Sequence, residues 1–140
     1  GCFAAQRVHA LLGARTANLL LGEAEFRRLE AEVHLATDDG SCGFPGTVSG
    51  LLQRLLEQGT AFDQVYACGP RAMMAATWQV CRAASLPCVV SMEAEMACGF
   101  GVCMGCACRA RPAHPLAAEP AYQLVCVNGP VFDAAELVWD

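Results

Sequence analysis

Residues 64–92 read QVYACGPRAMMAATWQVCRAASLPCVVSM. Gln64–Cys68 is a short strand-prone run, stopped by Gly69–Pro70. Pro70 pre-sets the backbone dihedral that starts a helix. Apolar residues then recur at helical spacing, which predicts a helix burying Met73, Thr77, Val80, Cys81 and Ala84. Pro87–Met92 (PCVVSM) is a second valine-rich strand. A strand, a single helix and another strand imply a parallel pair joined by a right-handed crossover.

The same alternation continues towards the N-terminus. Thr47 is a suitable N-cap for a helix in which Val48, Leu51, Leu52, Leu55 and Leu56 recur, and Gly59 closes it. Thr37–Gly46 (TDDGSCGFPG) is packed with turn formers. Val33–Ala36 (VHLA) reads as a strand, and Gly22–Glu32 as a short helix with Phe26 and Leu29 on its apolar face. Arg7–Gly13 (RVHALLG) suits a strand buried in a parallel sheet. Residues 1–92 therefore read β-α-β-α-β-α-β, an α/β unit. Gly1–Gln6 resembles the tail of a preceding helix, and with no initiator Met a fragment or excised domain is the expectation.

Beyond Glu93 the helical period disappears and glycines and cysteines take over. Tyr122–Val127 (YQLVCV) is the one clear strand there, ended by Gly129–Pro130, and Pro112–Pro120 is a Pro/Ala-rich loop. The expected division is 1–92 and 93–140.

The net charge is −5 and all nine basic residues are scattered arginines, so no basic stripe offers itself to nucleic acid. No apolar run reaches the roughly 18 residues of a membrane span, and no signal peptide is evident. A soluble, cytoplasmic protein is expected. Hydrophobic content of 55% is enough to fill a core.

Ten cysteines are unevenly placed. Cys2, Cys42, Cys68, Cys81 and Cys88 lie singly, whereas Cys98, Cys103, Cys106 and Cys108 crowd into eleven residues, and Cys126 follows. A secreted disulfide scaffold would pair cysteines throughout a loop-rich chain. Cys98-GFGV-Cys103-MG-Cys106 is C-x4-C-x2-C, with Cys126 nineteen intervening residues later. This is the plant-type 2Fe–2S spacing, in which four thiolates hold two irons. Gly99, Gly101 and Gly105 let one loop wrap such a group closely. Cys108 reads as a spare thiol. Zinc is the rival, but structural zinc sites usually show two Cys pairs or a Cys pair with a His pair. Here the second half offers only Cys126, with His114 alone.

The other polar residues have plain readings beside functional ones. Cys68 suits a buried strand-end thiol, Thr37–Ser41 a solvated turn, and Arg15 an exposed surface residue. Met73 and Met74 fill a core or shield a cofactor. His9 and His34 alternate within strands as packed or surface imidazoles. Glu93 and Glu95 carry no acid–base assignment.

Several segments together resemble one family. They are Thr37–Ser41 (TDDGS), Gly43-FP-Gly46-T-Val48, Tyr66–Pro70 (YACGP) with Met73–Met74, Ser91-M-Glu93, Met96–Cys106 (MACGFGVCMGC) and Cys126-VN-Gly129–Asp133 (GPVFD). In order and spacing they resemble the electron-transfer subunit of class 1B dihydroorotate dehydrogenase, of the ferredoxin reductase superfamily. The resemblance implies a partial nucleotide-binding domain of ferredoxin-reductase type, with a parallel sheet, followed by a small 2Fe–2S domain. In that family NADH reduces FAD, and the cluster relays single electrons to an FMN-containing catalytic subunit that oxidises dihydroorotate in pyrimidine biosynthesis.

Carried over by residue, Cys98, Cys103, Cys106 and Cys126 match the cluster ligands. Cys68, Gly69 and Pro70 match the strand-end motif facing the nicotinamide–flavin contact. Thr37, Asp38, Asp39 and Arg15 lie where nucleotide contacts are expected, outside the carboxyl ends of parallel strands. The FAD-binding barrel, its Arg-x-x-Ser/Thr segment and the glycine-rich pyrophosphate turn have no counterpart here. The isolated chain is therefore expected to bind FAD poorly and NADH weakly, and to be catalytically incomplete alone. Another NAD(P)H-dependent flavin/iron–sulfur reductase subunit, and a zinc-stabilised binding module, are the alternatives.

Overall fold

A computed structural model describes residues 7–112 and 121–139. Gly1–Gln6, Cys2, His114 and most of the Pro112–Pro120 loop lie outside the described residues. The chain divides into two compact units, 1–61 and 62–140.

In the first unit, β1 (His9–Ala14) pairs in parallel with β2 (Glu32–Thr37), from His9 opposite Glu32 to Ala14 opposite Thr37. A two-residue strand, β3 (Phe44–Pro45), adds to β2 in parallel at Ala36 and Thr37. It lies inside the stretch read as pure turn. Gly43 makes the approach possible. Its φ is +68°, and a Cβ there would sit 2.2 Å from the Leu35 carbonyl oxygen, so only glycine fits.

Between β1 and β2, α1 (Glu23–Arg28) is shorter than the predicted helix and buries no residue. Leu29 is 76% exposed and Phe26 37%, so the expected apolar face is not a core face. The surface pair of Arg27 with Glu23 one turn earlier suits such an exposed helix.

The second helix, α2 (Val48–Glu57), follows its sequence signals closely. The Thr47 hydroxyl accepts the Gly50 N–H at 3.2 Å, a cap worth about 1 kcal/mol. Leu51, Leu52 and Leu55 are buried. Gly59, at φ +87°, donates to Leu56, and Thr60 donates to Leu55, which ends the helix in a left-handed turn.

In the second unit, β4 (Val65–Cys68) and β5 (Cys88–Ser91) form the parallel pair expected around α3 (Arg71–Ala83). The buried face of α3 is Met74, Thr77 and Cys81. Met74 is 1% exposed, so it takes the core position assigned to Met73, while Ala84 is exposed and lies past the helix end.

The cysteine-rich half contributes three further strands. β6 (Ala107–Ala110) and β7 (Ala121–Leu124) form an antiparallel hairpin, and β8 (Val131–Asp133) pairs antiparallel with β5. The segment Tyr122–Val127 is a strand only to Leu124. It then turns into α4 (Val125–Asn128), one helical turn held by the Asn128 side-chain oxygen, which accepts the Leu124 N–H. After β8 the chain returns to β6: Arg111 N–H donates to Glu136 and Val138 N–H to Arg109. Val90, Val125, Phe132, Ala134 and Leu137 make the core of this unit with Met74.

Among the described residues no helix is long and apolar enough to cross a membrane.

Candidate iron–sulfur centre

The loop after β5 carries Cys98, Cys103 and Cys106 before the chain enters β6. Left-handed backbone at Gly99, Gly101 and Met104 bends this loop back on itself. Gly101 packs against α4, and a Cβ there would lie 2.8 Å from Val127 Cγ2. The loop is thereby pressed against the helical turn that carries Cys126. Val125 N–H donates to the Cys106 carbonyl at 3.2 Å and adds a backbone tie.

The sulfur atoms fall into two pairs. Cys106 Sγ and Cys126 Sγ lie 3.2 Å apart, with Cys106 only 3% exposed. Cys98 Sγ accepts the Cys103 N–H at 3.5 Å and also the Cys103 thiol. Cys103 Sγ in turn accepts the Gly105 N–H at 3.4 Å. Backbone N–H groups of Cys103, Phe100 and Val102 hold the Cys98 thiol down to about 6. The Cys126 N–H and thiol lower Cys106. Cys126 is raised, because its sulfur shares a proton with Cys106. The Gly101 N–H points at Cys126 and works the other way.

This donor set fits a 2Fe–2S group on chemical grounds. Two irons each need two thiolates, and the loop together with α4 presents two thiol pairs. Amide N–H groups aimed at sulfur favour the charged thiolate and an anionic cluster. Cys108 stands apart. It is 8% exposed on β6, donates to the Gln123 carbonyl at 3.5 Å, and burial pushes its thiol up.

Gly69 and Pro70 share a cavity of about 370 Å³ with Cys106, Cys108, Glu93, Arg71 and Arg109. Cys68 is exposed at the carboxyl end of β4, its thiol 4.0 Å from Glu93 Oε1. The strand-end motif and Cys106 therefore open on the same space.

In the first unit, Arg15, Asp38 and Asp39 follow the carboxyl ends of β1 and β2. Asp38 N–H donates to Ala14 and Asp39 N–H to Arg15, which clips the two loops together. The Asp39 carboxylate accepts Ser41 Oγ at 2.6 Å and Ser41 N at 2.9 Å, and these bonds lower its pKa. Thr37 is fully buried. Its hydroxyl donates to the Cys42 carbonyl at 2.7 Å and accepts the Cys42 N–H at 2.9 Å, so it fastens the turn from within.

At the other end of that sheet, His9 and His34 come together with Glu32, a grouping that sequence reasoning missed. Burial lowers the His34 pKa against the opposing effect of Glu32. The only signal for the grouping was the i, i+2 spacing of Glu32 and His34; the third member is 25 residues away.

The fold is of ferredoxin-reductase type, and its cysteine-rich segment has the character of an iron–sulfur binding domain. The structure aligns at TM-score 0.77 and 29% identity with a chain of the NADH-dependent reduced ferredoxin–NADP oxidoreductase, solved for insight into flavin-based electron bifurcation. The alignment covers 96% of this chain and 45% of that one. Residues 93–138 match the iron–sulfur cluster binding domain of dihydroorotate dehydrogenase B.

Over nearly its whole length the chain is similar to electron transfer subunits of dihydroorotate dehydrogenase B (NAD(+)). The subunit of Geobacillus thermodenitrificans is 40% identical over 131 residues, covering 94% of this chain and 47% of the relative. That of Bacillus caldolyticus is 41% identical over 133 residues, with 94% and 47% covered. That of Desulforamulus reducens is 38% identical over 135 residues, with 96% and 49% covered. The chain spans about half the length of these relatives.

Proposed function

We propose that this chain is the iron–sulfur half of an electron-transfer subunit, with Cys98, Cys103, Cys106 and Cys126 as the ligands of a 2Fe–2S cluster. The observation that carries the reading is the pairing of four sulfurs, three from one glycine-bent loop and one from α4, amid converging backbone N–H groups. The cluster supplies one-electron redox chemistry when bound. The protein's share is position, hydrogen bonding and burial. Cys106 and Cys126 are held by β6 and α4, while the Cys98–Cys103 pair faces outward on the loop. Phe100, Val102, Met104 and Val127 are exposed around it and offer an apolar rim suited to a protein partner.

Within this reading the cavity beside Gly69, Pro70 and Cys106 is where a flavin edge would approach the cluster. Cys68 at the strand end would face the nicotinamide side. Arg15, Asp38 and Asp39 would meet the nucleotide, with Thr37 fixing their turn. NADH and FAD would feed the cluster, and an FMN-containing catalytic subunit of dihydroorotate dehydrogenase would receive the electrons in the cytoplasm. The division into a nucleotide-binding part, 1–92, and a cluster part, 93–140, belongs to the same proposal. It is supported by the span of the family match, which begins at residue 93.

The test is metal and sulfide analysis of anaerobically purified protein. The expected content is about two irons and two acid-labile sulfides per chain, with red-brown visible absorption. A single zinc with no inorganic sulfide would overturn the assignment.

A further inference from the structure

Three side chains converge at the amino-terminal ends of β1 and β2. His9 Nδ1 lies 3.1 Å from His34 Nε2 and 3.6 Å from Glu32 Oε2. His34 Nε2 lies 3.5 Å from Glu32 Oε1. The ring planes are inclined by only 17° with centroids 5.3 Å apart, so the two imidazoles meet edge to edge through these nitrogens. We propose that His9, Glu32 and His34 form a binding site for one divalent cation of the zinc class.

The parallel ladder explains the convergence. Its register sets His9 opposite Glu32 and Leu11 opposite His34. Glu32 and His34, two residues apart, share one face of β2, and His9 stands beside them at the first rung of β1. The donors' spacing is that of ligands sharing an ion. A tetrahedral centre with bonds of about 2.1 Å sets its ligands about 3.4 Å apart. The two nitrogens lie 3.1 Å apart, and each lies near that spacing from one Glu32 oxygen, His9 at 3.6 Å from Oε2 and His34 at 3.5 Å from Oε1.

The donor types select the cation. Two imidazole nitrogens with one carboxylate oxygen suit zinc and its borderline neighbours. Calcium and magnesium favour all-oxygen shells. Burial is graded to match: the side chains of His9 and His34 are 7% and 18% exposed, and that of Glu32 is 52% exposed. The imidazoles are fixed by their surroundings, while the carboxylate side faces water. That leaves a way in and room for a solvent ligand at the fourth position. Bound there, the ion ties the start of β1 to the start of β2. This lies at the opposite end of the strands from Arg15, Asp38 and Asp39, so the site is independent of the nucleotide edge.

The experiment titrates zinc into the full chain against a chromophoric chelator, alongside Glu32→Gln and His34→Ala. Only the difference between proteins is read, so zinc taken up by cysteines cancels. The expected result is one more equivalent in the wild type than in His34→Ala, whose affinity at this site falls by more than about 100-fold. Glu32→Gln should weaken it by at least about tenfold, and zinc should shift the ring nitrogen resonances of His9 and His34. Equal uptake and affinity in all three proteins would overturn the proposal. If His34→Ala does not fold, Glu32→Gln decides, because its side chain is half exposed.

Discussion

The sulfur of Cys126, on a single helical turn, lies 3.2 Å from that of Cys106 at the threshold of β6. Two thiols this close share a proton in the metal-free chain and form one corner of the proposed cluster site. Cys126→Ser is therefore expected to abolish iron and sulfide retention. Cys108→Ser, altering a thiol bonded to the Gln123 carbonyl, should leave the visible spectrum intact. Absorbance and iron content of the two variants read the outcome; the reverse pattern would show that Cys108 is the ligand.

Gly101 ties the loop to α4. Its φ of +87° disfavours any side chain, and a Cβ would collide with Val127 Cγ2. Gly101→Ala should cost about 1–3 kcal/mol locally and shorten cluster lifetime in air. Adding Val127→Ala removes the collision but not the backbone strain, so only part of the lifetime should return.

In the cluster-free chain, the Cys98 thiol is held at about 6 by backbone N–H donors, against an ordinary value of 9.0. Its thiolate should form well below neutrality, and alkylation of Cys98 should level off above pH 7 or so. Cys108, raised by burial, should resist alkylation throughout. Because the folded value is the lower one, this contribution to apo-loop order is complete above about pH 9. It fades as the pH falls through about 6. Mass-spectrometric labelling against pH checks both thiols.

Thr37 is buried with both hydrogen-bonding roles of its hydroxyl taken by Cys42. Thr37→Val leaves that backbone N–H and carbonyl without their partner and should cost about 1–3 kcal/mol. A drop in thermal midpoint is the expected readout. Any loss of nucleotide binding should then follow from a displaced Asp38–Asp39 turn, as retention of binding at low temperature would show.

Local rules made much of this legible. Thr47, four leucines and Gly59 mark α2 because cap, period and stop all act within one helix. The cysteine spacing pointed to the cluster loop because three of its proposed ligands are close neighbours in the chain. What escaped depends on partners far away. β6 and β8 are four- and three-residue strands that exist only because a ladder receives them. α4 interrupts an apparently continuous strand because Asn128 reaches back to Leu124. Phe26 and Leu29 have helical spacing but no layer to cover them. The His9–Glu32–His34 grouping needs the β1–β2 register, which no local pattern displays.

Residues 131–138 run beside Val90 and then beside Arg109, so the tail is sewn to both the parallel pair and the hairpin. A graft of this cysteine loop cut at residue 93 leaves behind β5, the strand that β8 pairs with. Severed from β5, the tail would lose its host strand and the hairpin its backing. A cassette that keeps both partners of the tail would begin at Phe62, where the second compact unit begins.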